Sequence, residues 1–139
     1  MSARSFFDTN VLVYADDKAK PAKQRRALAL VAEHRRAGTG VVSLQVLQEY
    51  FVTITAKLRV DPVIARRKVE LLAEFDVVTP ELADILAAID LHRIHGFSFW
   101  DALILRAAKQ AGCKILLTED LQTRREIDGV HIENPFLQA

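Results

Sequence analysis

The sequence contains few of the residues that indicate a disulfide-stabilised, fibrous or linker-rich protein. Its 139 residues include one cysteine, five glycines and four prolines, and only 7% of the residues are aromatic. The single cysteine, Cys113, excludes a disulfide framework. Glycine and proline do not cluster, so no linker or low-complexity segment divides the chain. We therefore predict one domain over residues 1–139.

The chain also lacks an excess of charge of one sign and a long apolar run. Nineteen Lys and Arg residues against eighteen Asp and Glu residues give a formal net charge of +1, which excludes nucleic-acid binding through overall charge alone. Charged residues interrupt every window before it reaches the roughly eighteen apolar residues of a membrane span. The start, from Met1 to Arg4, has no apolar segment of the kind found in export signals. These absences predict a cytoplasmic protein that does not contact a membrane.

What the chain does contain is an alternation of short apolar runs with longer helical segments. The first four runs are separated by more than 30 residues each, which is long enough for crossover helices and too long for hairpins. This pattern favours an α/β fold with a mostly parallel four- to five-stranded sheet covered by helices on both faces. The predicted strands are residues 5–9, 41–43, 77–78, 114–117 and 130–133, and the predicted helices are residues 11–16, 20–37, 44–58, 62–74, 80–95 and 99–111.

Two of the predicted helices begin with recognisable capping signals. Thr79 followed by Pro80 predicts a helix with a threonine N-cap and proline at its first position. Ser98 followed three residues later by Asp101 resembles a capping box. These signals predict where the two helices begin.

Four acidic residues differ from ordinary surface acids in their surroundings. Asp8 ends the first predicted strand and Asp120 closely follows the fourth, and ligands of open parallel sheets bind beyond the carboxyl ends of strands. Asp101 falls on the inward-leaning side of the first turn of its helix. Glu49 projects opposite the apolar stripe of its helix, so it joins a site only if its own face also meets protein or a cleft wall.

Each acid has an explanation that involves no catalysis, since Asp8, Asp101 and Asp120 could cap helices and Glu49 could face solvent. Taken together, the four acids suggest a cation-binding site. Carboxylates gathered within about 6 Å repel by a few kcal/mol per close pair at an effective dielectric near 20. A cation removes that cost, and oxygen ligands without thiolates favour Mg²⁺ or Mn²⁺. The corresponding chemistry is phosphodiester hydrolysis, in which the metal activates water.

These residues form an ordered pattern that resembles a known family. The small single-domain size and the pattern resemble the PIN domain family, and within it the VapC-type toxins, from residue 5 to about residue 136. The pattern consists of Asp8-Thr9-Asn10 after the first strand, Glu49 in a middle helix, Trp100-Asp101-Ala102-Leu103-Ile104, and Leu117-Thr118-Glu119-Asp120.

The resemblance implies a three-layer α/β/α sandwich and Mg²⁺- or Mn²⁺-dependent endonucleolytic cleavage of RNA. It also implies a homodimer and an antitoxin partner that holds the toxin inactive. The implied catalytic and metal-binding residues are Asp8, Glu49, Asp101 and Asp120, with Thr9, Asn10 and Thr118 in supporting positions.

The charge distribution adds a candidate RNA-binding surface. Seven Lys and Arg residues lie between Lys18 and Arg36, where Glu33 is the one acid. A basic flank beside an acidic site suits a phosphodiester substrate. We therefore predict that Arg25 and Arg26 bind RNA, with a solvated helix face as the alternative.

Other interpretations remain open from the sequence. A catalytically silent interaction module would use the acids as caps and an apolar surface for a partner. An aspartyl-phosphate phosphatase also places an Asp after its first strand but needs a second Asp two positions later, where this chain has Asn10. A receiver domain needs an acid pair and a late lysine that the chain does not supply. His92 and His95 could form half of a zinc site, or simply lie at a helix C-terminus.

Overall fold

The computed structural model describes residues 3–121 and 125–137, in which strands and helices alternate along the chain. None of the helices in these two ranges is both long enough and apolar enough to span a membrane. The elements are β1 (Ser5–Phe7), α1 (Thr9–Tyr14), α2 (Pro21–Ala37), β2 (Gly40–Ser43), α3 (Leu44–Ala56), α4 (Pro62–Leu72), β3 (Asp76–Val78), α5 (Leu82–His95), α6 (Phe99–Gln110), β4 (Ile115–Leu117), β5 (Glu126–Ile127) and β6 (Val130–Glu133).

The sheet has the order β3-β2-β1-β4-β6-β5, and every neighbouring pair is parallel except β5 with β6. The chain extends the sheet on one side of β1 through β2 and β3, and on the other side through β4 and β6. The order therefore reverses between β1 and β4, which is where open α/β sheets bind ligands. Phe7 is in register with Leu117, so the residues after these two strands emerge side by side.

Helices cover both faces of this sheet. Phe6 and Phe7 point to opposite faces because side chains alternate along a strand, and both are fully buried. Val41 and Val42 of β2 show the same two-sided burial. The predicted sandwich of helix, sheet and helix layers is therefore confirmed.

The structure corrects the predicted start of α5. This helix begins at Leu82, and the prediction that Thr79 caps a helix starting at Pro80 is wrong. Glu81 is the N-cap, and the Asp84 carboxylate accepts the Glu81 N–H at 2.9 Å in a reciprocal capping box. Ser98 is the N-cap of α6 as predicted, because its Oγ accepts the Asp101 N–H at 3.1 Å.

The two-residue strand β5 is absent from the sequence prediction, which allowed four or five strands. It pairs antiparallel with β6 through a turn formed by Asp128 and Gly129, whose φ angles are +51° and +83°. An Asp-Gly pair with both residues in the left-handed region is typical of a two-residue hairpin turn. That dipeptide was the available signal for the missed strand.

Candidate active site

Asp8 lies at the point where the strand order reverses. Strand β1 ends at Phe7 rather than at Thr9 as predicted, because Asp8 is the N-cap of α1. The Asp8 side chain is buried, its Oδ1 accepts the Thr9 N–H at 2.7 Å, and its Oδ2 accepts the Thr118 hydroxyl at 2.8 Å. Both carboxylate oxygens are thus held in fixed directions.

Thr118 connects this aspartate to the segment that follows β4. Its side chain is fully buried, and besides donating to Asp8 its hydroxyl oxygen accepts the Asp120 N–H at 3.1 Å. The Asn10 amide nitrogen lies 3.5 Å from the same oxygen, and Asn10 Oδ1 accepts the Glu119 N–H at 3.2 Å. The supporting residues predicted from the sequence therefore tie the start of α1 to residues 118–120.

Glu49 reaches the site from α3. The Thr9 hydroxyl donates to Glu49 Oε1 at 2.9 Å, and the Gln45 amide donates to Oε2 at 3.4 Å. The carboxylate is half-buried. The condition for its inclusion in a site is met, because the face of α3 that carries Glu49 forms one wall of a groove.

This groove, here called the site groove, has a volume of about 680 Å³. Of the four candidate acids, Glu49 and Asp120 line it, whereas Asp8 and Asp101 do not. Its lining residues are Thr9, Asn10, Val13, Tyr14, Asp17, Lys20, Gln48, Glu49, Val52, Thr53, Lys57, Leu58 and Asp120.

The ionisation of Asp8 is strongly perturbed. Burial raises the pKa of Asp8 from 3.8 to about 6, the hydrogen bonds from Thr118 and Thr9 oppose that rise, and the charges of Asp120 and Asp101 add to it. A buried carboxyl group that lacks compensating positive charge and lies near other acids holds its proton more tightly. Asp8 is therefore partly protonated near neutral pH.

Asp101 shows the same pattern more weakly. It lies in the first turn of α6 and is half-buried. Burial raises its pKa, a hydrogen bond with Ser98 lowers it, and the charges of Asp120 and Glu49 raise it further. The charge of Asp120 therefore acts on both Asp8 and Asp101, and the charge of Glu49 acts on Asp101.

The acids do not form a closed coordination shell. Within residues 3–121 and 125–137, no three acidic, histidine or cysteine side chains are grouped closely enough to hold a metal ion as they stand. Their donor chemistry nevertheless fits Mg²⁺ or Mn²⁺, because all four supply carboxylate oxygens, which are the ligands that these hard cations prefer. The metal site remains a prediction.

The sequence analysis assigned no role to three side chains that lie beside the acids, namely Tyr14, Lys23 and Glu119. Tyr14 Oη donates to Glu119 Oε1 at 2.6 Å, and Lys23 Nζ donates to Glu119 Oε2 at 2.6 Å. These partners lie 96 and 105 residues apart along the chain. No local spacing signal could have identified them.

The basic residues predicted to bind RNA lie on α2. Arg25 and Arg26 are both exposed, but Arg26 Nε donates to the Pro135 carbonyl oxygen at 3.1 Å and so also fastens the C-terminal segment. Neither arginine lines the site groove, whereas Lys20 and Lys57 do. The role of Arg25 and Arg26 in RNA binding remains a prediction.

The two histidines at the end of α5 occupy a helix terminus. His92 Nδ1 lies 2.5 Å from the Phe97 carbonyl oxygen, and the His95 ring packs near the Phe97 ring at 5.9 Å. Gly96 follows them with φ at +77° and ends the helix. This arrangement matches the interpretation as helix-end residues.

Comparison with known proteins decides the family. A model of the PIN domain matches residues 5–127. The chain belongs to the PIN domain family. In this PIN domain, Asp8-Thr9-Asn10 and Thr118-Glu119-Asp120 follow the carboxyl ends of β1 and β4, whereas Glu49 lies in α3 and Asp101 in α6. No curated protein matches the sequence closely enough to count as a relative.

Two solved structures share the fold. A crystal structure of the Mycobacterium tuberculosis toxin VapC20, described as cleaving the sarcin-ricin loop, has a TM-score of 0.69 and 19% identity, covering 84% of this chain and 89% of that one. A toxin–antitoxin complex from Klebsiella pneumoniae has a TM-score of 0.70 and 19% identity, covering 94% and 97%. At such identity the similarity establishes a common fold.

Proposed function

We propose that this PIN domain is a Mg²⁺- or Mn²⁺-dependent endoribonuclease and the toxin of a toxin–antitoxin pair. The observation that carries the proposal is Asp8, a buried carboxyl at the strand-order reversal whose pKa is raised to about 6 by burial and, to a smaller extent, by the charges of Asp120 and Asp101. A strongly perturbed acid beside a groove is typical of a catalytic site. The VapC20 and toxin–antitoxin folds support the assignment, and an RNA substrate implies action in the cytoplasm.

The acidic residues would hold the divalent ion. When bound, this ion supplies an activated water and offsets the charge that develops at phosphorus. The residues in this role are Asp8, Glu49, Asp101 and Asp120.

The neighbouring side chains orient these acids. Thr118 fixes Asp8 through its hydroxyl, and Thr9 fixes Glu49 through its own hydroxyl. Ligands that are held by further hydrogen bonds lose little freedom when they bind an ion. Asn10 holds the main chain at Glu119 and so stabilises the turn before Asp120.

The site groove offers a path for the RNA strand. Lys20 and Lys57 line it and can neutralise phosphates, while Tyr14 and Val52 supply apolar surface for a base or a sugar. Arg25 and Arg26 would extend the basic surface outside the groove. Family membership favours this chemistry over an aspartyl-phosphate mechanism, for which Asn10 replaces the required second aspartate.

A second groove is suited to the antitoxin. This helix groove, between α3 and α4, has a volume of about 790 Å³ and is lined almost entirely by apolar side chains. It shares Gln48 and Val52 with the site groove. A protein segment lying along it would therefore continue directly to the acids. Its lining residues are Leu44, Leu47, Gln48, Phe51, Val52, Pro62, Val63, Arg66 and Val69.

A separate apolar surface is available for the homodimer. Leu82, Leu86 and Ile89 lie on one face of α5 by helical spacing and are 69%, 53% and 40% exposed. Apolar side chains that form a contiguous exposed patch mark protein interfaces more often than isolated ones. Exchange of Leu86 for Glu should shift the protein from dimer to monomer in light scattering, and a dimer that persists would exclude this face.

Cleavage of a labelled RNA in the presence of Mn²⁺ tests the activity. Asp8→Asn and Asp101→Asn should each lower kcat by about 10³-fold or more, because a metal-binding carboxylate is lost. Asp90→Asn is the matched control, because Asp90 is exposed on α5. This variant should cleave RNA at the wild-type rate. Full activity in both site variants would contradict the proposal, and a silent interaction module would show no rise in melting temperature with Mn²⁺.

Salt dependence of RNA binding tests the basic residues. Each phosphate contact to a single strand contributes about 0.7 to the slope of log K against log salt. Lys20→Ala with Lys57→Ala should therefore flatten the slope by about 1.4, and Arg25→Ala with Arg26→Ala should flatten it by a smaller amount. An unchanged slope in the arginine variant would favour the alternative interpretation, in which Arg25 and Arg26 belong to a solvated helix face and do not bind RNA.

A further inference from the structure

Glu119, next to the predicted metal ligand Asp120, is held by two side chains from the start of the chain. Tyr14 Oη and Lys23 Nζ each donate to a different carboxylate oxygen of Glu119 at 2.6 Å. Lys23 Nζ also lies 3.3 Å from Tyr14 Oη and 4.7 Å from the centre of the Tyr14 ring. Both oxygens of Glu119 are thus occupied by donors outside the acidic cluster.

The charges of this group stabilise one another. The hydrogen bond to Glu119 raises the pKa of Lys23 above its ordinary value. The Lys23 ammonium and the Glu119 carboxylate form an ion pair at 2.6 Å, and the Glu119 side chain is only 26% exposed. The positive charge of Lys23 therefore compensates the Glu119 carboxylate directly.

The cationic partner is itself held in place. The Tyr14 ring packs edge-on against the Phe136 ring at 4.9 Å, and Lys23 Nζ lies 5.7 Å from the centre of the Phe136 ring. Arg26, one turn along α2 from Lys23, fastens the same C-terminal segment through the Pro135 carbonyl. Lys23 is thus held against packed rings even though its side chain is 38% exposed.

The two bonds from Tyr14 and Lys23 to Glu119, here called the side-chain clamp, act on the same turn, residues 118–120, as two main-chain bonds. The Glu119 N–H donates to Asn10 and the Asp120 N–H donates to Thr118, so residues 118–120 are restrained from both sides. If Lys23 were removed, an uncompensated carboxylate would stand directly beside the acids. Like charges at that distance repel, and the turn that carries Asp120 would shift.

We propose that Lys23 and Tyr14 are positioning residues that hold the Glu119 carboxylate outside the acidic cluster and thereby fix Asp120. The inference rests on the proposed nuclease function for its kinetic consequence. It assigns Lys23 a role through Glu119 and Asp120, without contact to RNA. A lysine that contacted phosphate would behave differently in the same experiments.

A double-mutant cycle tests this role. Lys23→Met should lower kcat for RNA cleavage by about tenfold with little change in KM, because a small displacement of a metal ligand affects the reacting state. Glu119→Gln should cost only about twofold to threefold, because the amide oxygen still accepts from Tyr14. Lys23→Met combined with Glu119→Gln should recover the activity of Glu119→Gln alone, because no charge is left unpaired.

The opposite pattern would overturn the inference. A phosphate-binding Lys23 would raise KM when replaced, and the added Glu119→Gln substitution would not restore cleavage. Lys109→Met is the matched control, because Lys109 also pairs with an acid, Asp128, at 3.7 Å. We expect that variant to retain wild-type kcat and KM.

Hydrogen exchange gives a measurement that does not depend on activity. In Lys23→Met the amides of Glu119 and Asp120 should exchange about fivefold to tenfold faster than in the wild type, because local opening of the turn becomes easier. The Lys109→Met protein should show no change at these amides. If the wild type fails to cleave RNA, the nuclease proposal fails while exchange still decides the clamp. Unchanged exchange would overturn the clamp whatever the activity.

Discussion

Two aspartates in this molecule have equally small exposed fractions but opposite shifts of their pKa. Asp8 and Asp84 are each 6% exposed. The pKa of Asp8 is raised to about 6, whereas the main-chain bond from Glu81 and the Arg106 guanidinium hold the pKa of Asp84 below its usual value. An equally small exposed fraction therefore does not decide the ionisation of a carboxyl group here, because Asp8 lies deeper and its burial outweighs its hydrogen bonds.

The difference lies in what surrounds each carboxylate. Asp84 accepts the Glu81 N–H and the Arg106 Nε–H, both at 2.9 Å, so its charge is compensated within the fold. Asp8 accepts one N–H and one hydroxyl and has the acids Asp101 and Asp120 as neighbours. The Asp84 carboxylate stabilises the fold through these two bonds. The Asp8 carboxylate has no positive side chain as a hydrogen-bond partner, so a bound cation could balance its charge.

The largest effect should come from breaking the compensated site. Asp84→Asn should lower the free energy of unfolding by about 3 kcal/mol, because it leaves the Arg106 guanidinium without its anionic partner and weakens the cap of α5. Because the pKa of Asp84 is lowered, its contribution is present above the unfolded pKa and is lost as pH falls through the folded pKa.

Urea unfolding at pH 7 measures this loss, with Asp90→Asn on the exposed side of the same helix as control. The Asp90 variant should lie within about 0.5 kcal/mol of the wild type. A loss of similar size in both variants would mean that the Asp84 to Arg106 contact contributes nothing specific.

Asp8→Asn should have the opposite sign. Raising a carboxyl pKa from 3.8 to about 6 costs the charged form about 3 kcal/mol, and an amide avoids most of that cost. We expect Asp8→Asn to gain about 2 kcal/mol of unfolding free energy at pH 7, less than the full amount because the amide fits the Thr118 bond imperfectly.

The sign of the pH dependence distinguishes this effect from better packing. Between pH 3.8 and about 6 the unfolded chain releases the proton while folded Asp8 retains it, so wild-type stability falls as pH rises through that interval. The gain from Asp8→Asn should therefore disappear below pH 4. A gain that is equal at pH 3.5 and pH 7 would show that charge is not its cause.

The fold followed from the sequence because its signals are local. The apolar runs at Phe6 and Val41 and the long gaps between them are enough to predict parallel strands with crossover helices. The start of α5 was misplaced because two capping signals overlap within six residues, and the box formed by Glu81 and Asp84 prevails over Pro80. A reciprocal pair of bonds satisfies two main-chain donors, whereas proline only tolerates the position.

The site was predicted in part for the same reason. Asp8, Thr118 and Asp120 follow the ends of strands, so strand prediction also locates them. The contrast between Asp8 and Asp84 was not accessible, because it depends on which groups approach from distant parts of the chain. Arg106 is 22 residues from Asp84, and Thr118 is 110 residues from Asp8. Periodicity carries no information on such contacts.

The smallest effect should come from the hydroxyl that partly compensates Asp8. Thr118→Val keeps the shape of a fully buried side chain but removes the bond to Asp8 Oδ2, so we expect a loss of about 1.5 kcal/mol at pH 7. Thr118→Ser keeps the hydroxyl and loses one methyl group, at a cost of about 0.8 kcal/mol.

The two variants separate hydrogen bonding from packing at the same position. Because the Thr118 bond lowers the pKa of Asp8, carboxyl chemical shifts followed by NMR should titrate above the wild-type midpoint in Thr118→Val and at that midpoint in Thr118→Ser. An unmoved midpoint in Thr118→Val would show that burial and the acidic neighbours alone set the ionisation of Asp8. In that case the Arg106 guanidinium, which Asp84 has and Asp8 lacks, would be the main difference in hydrogen bonding between the two aspartates.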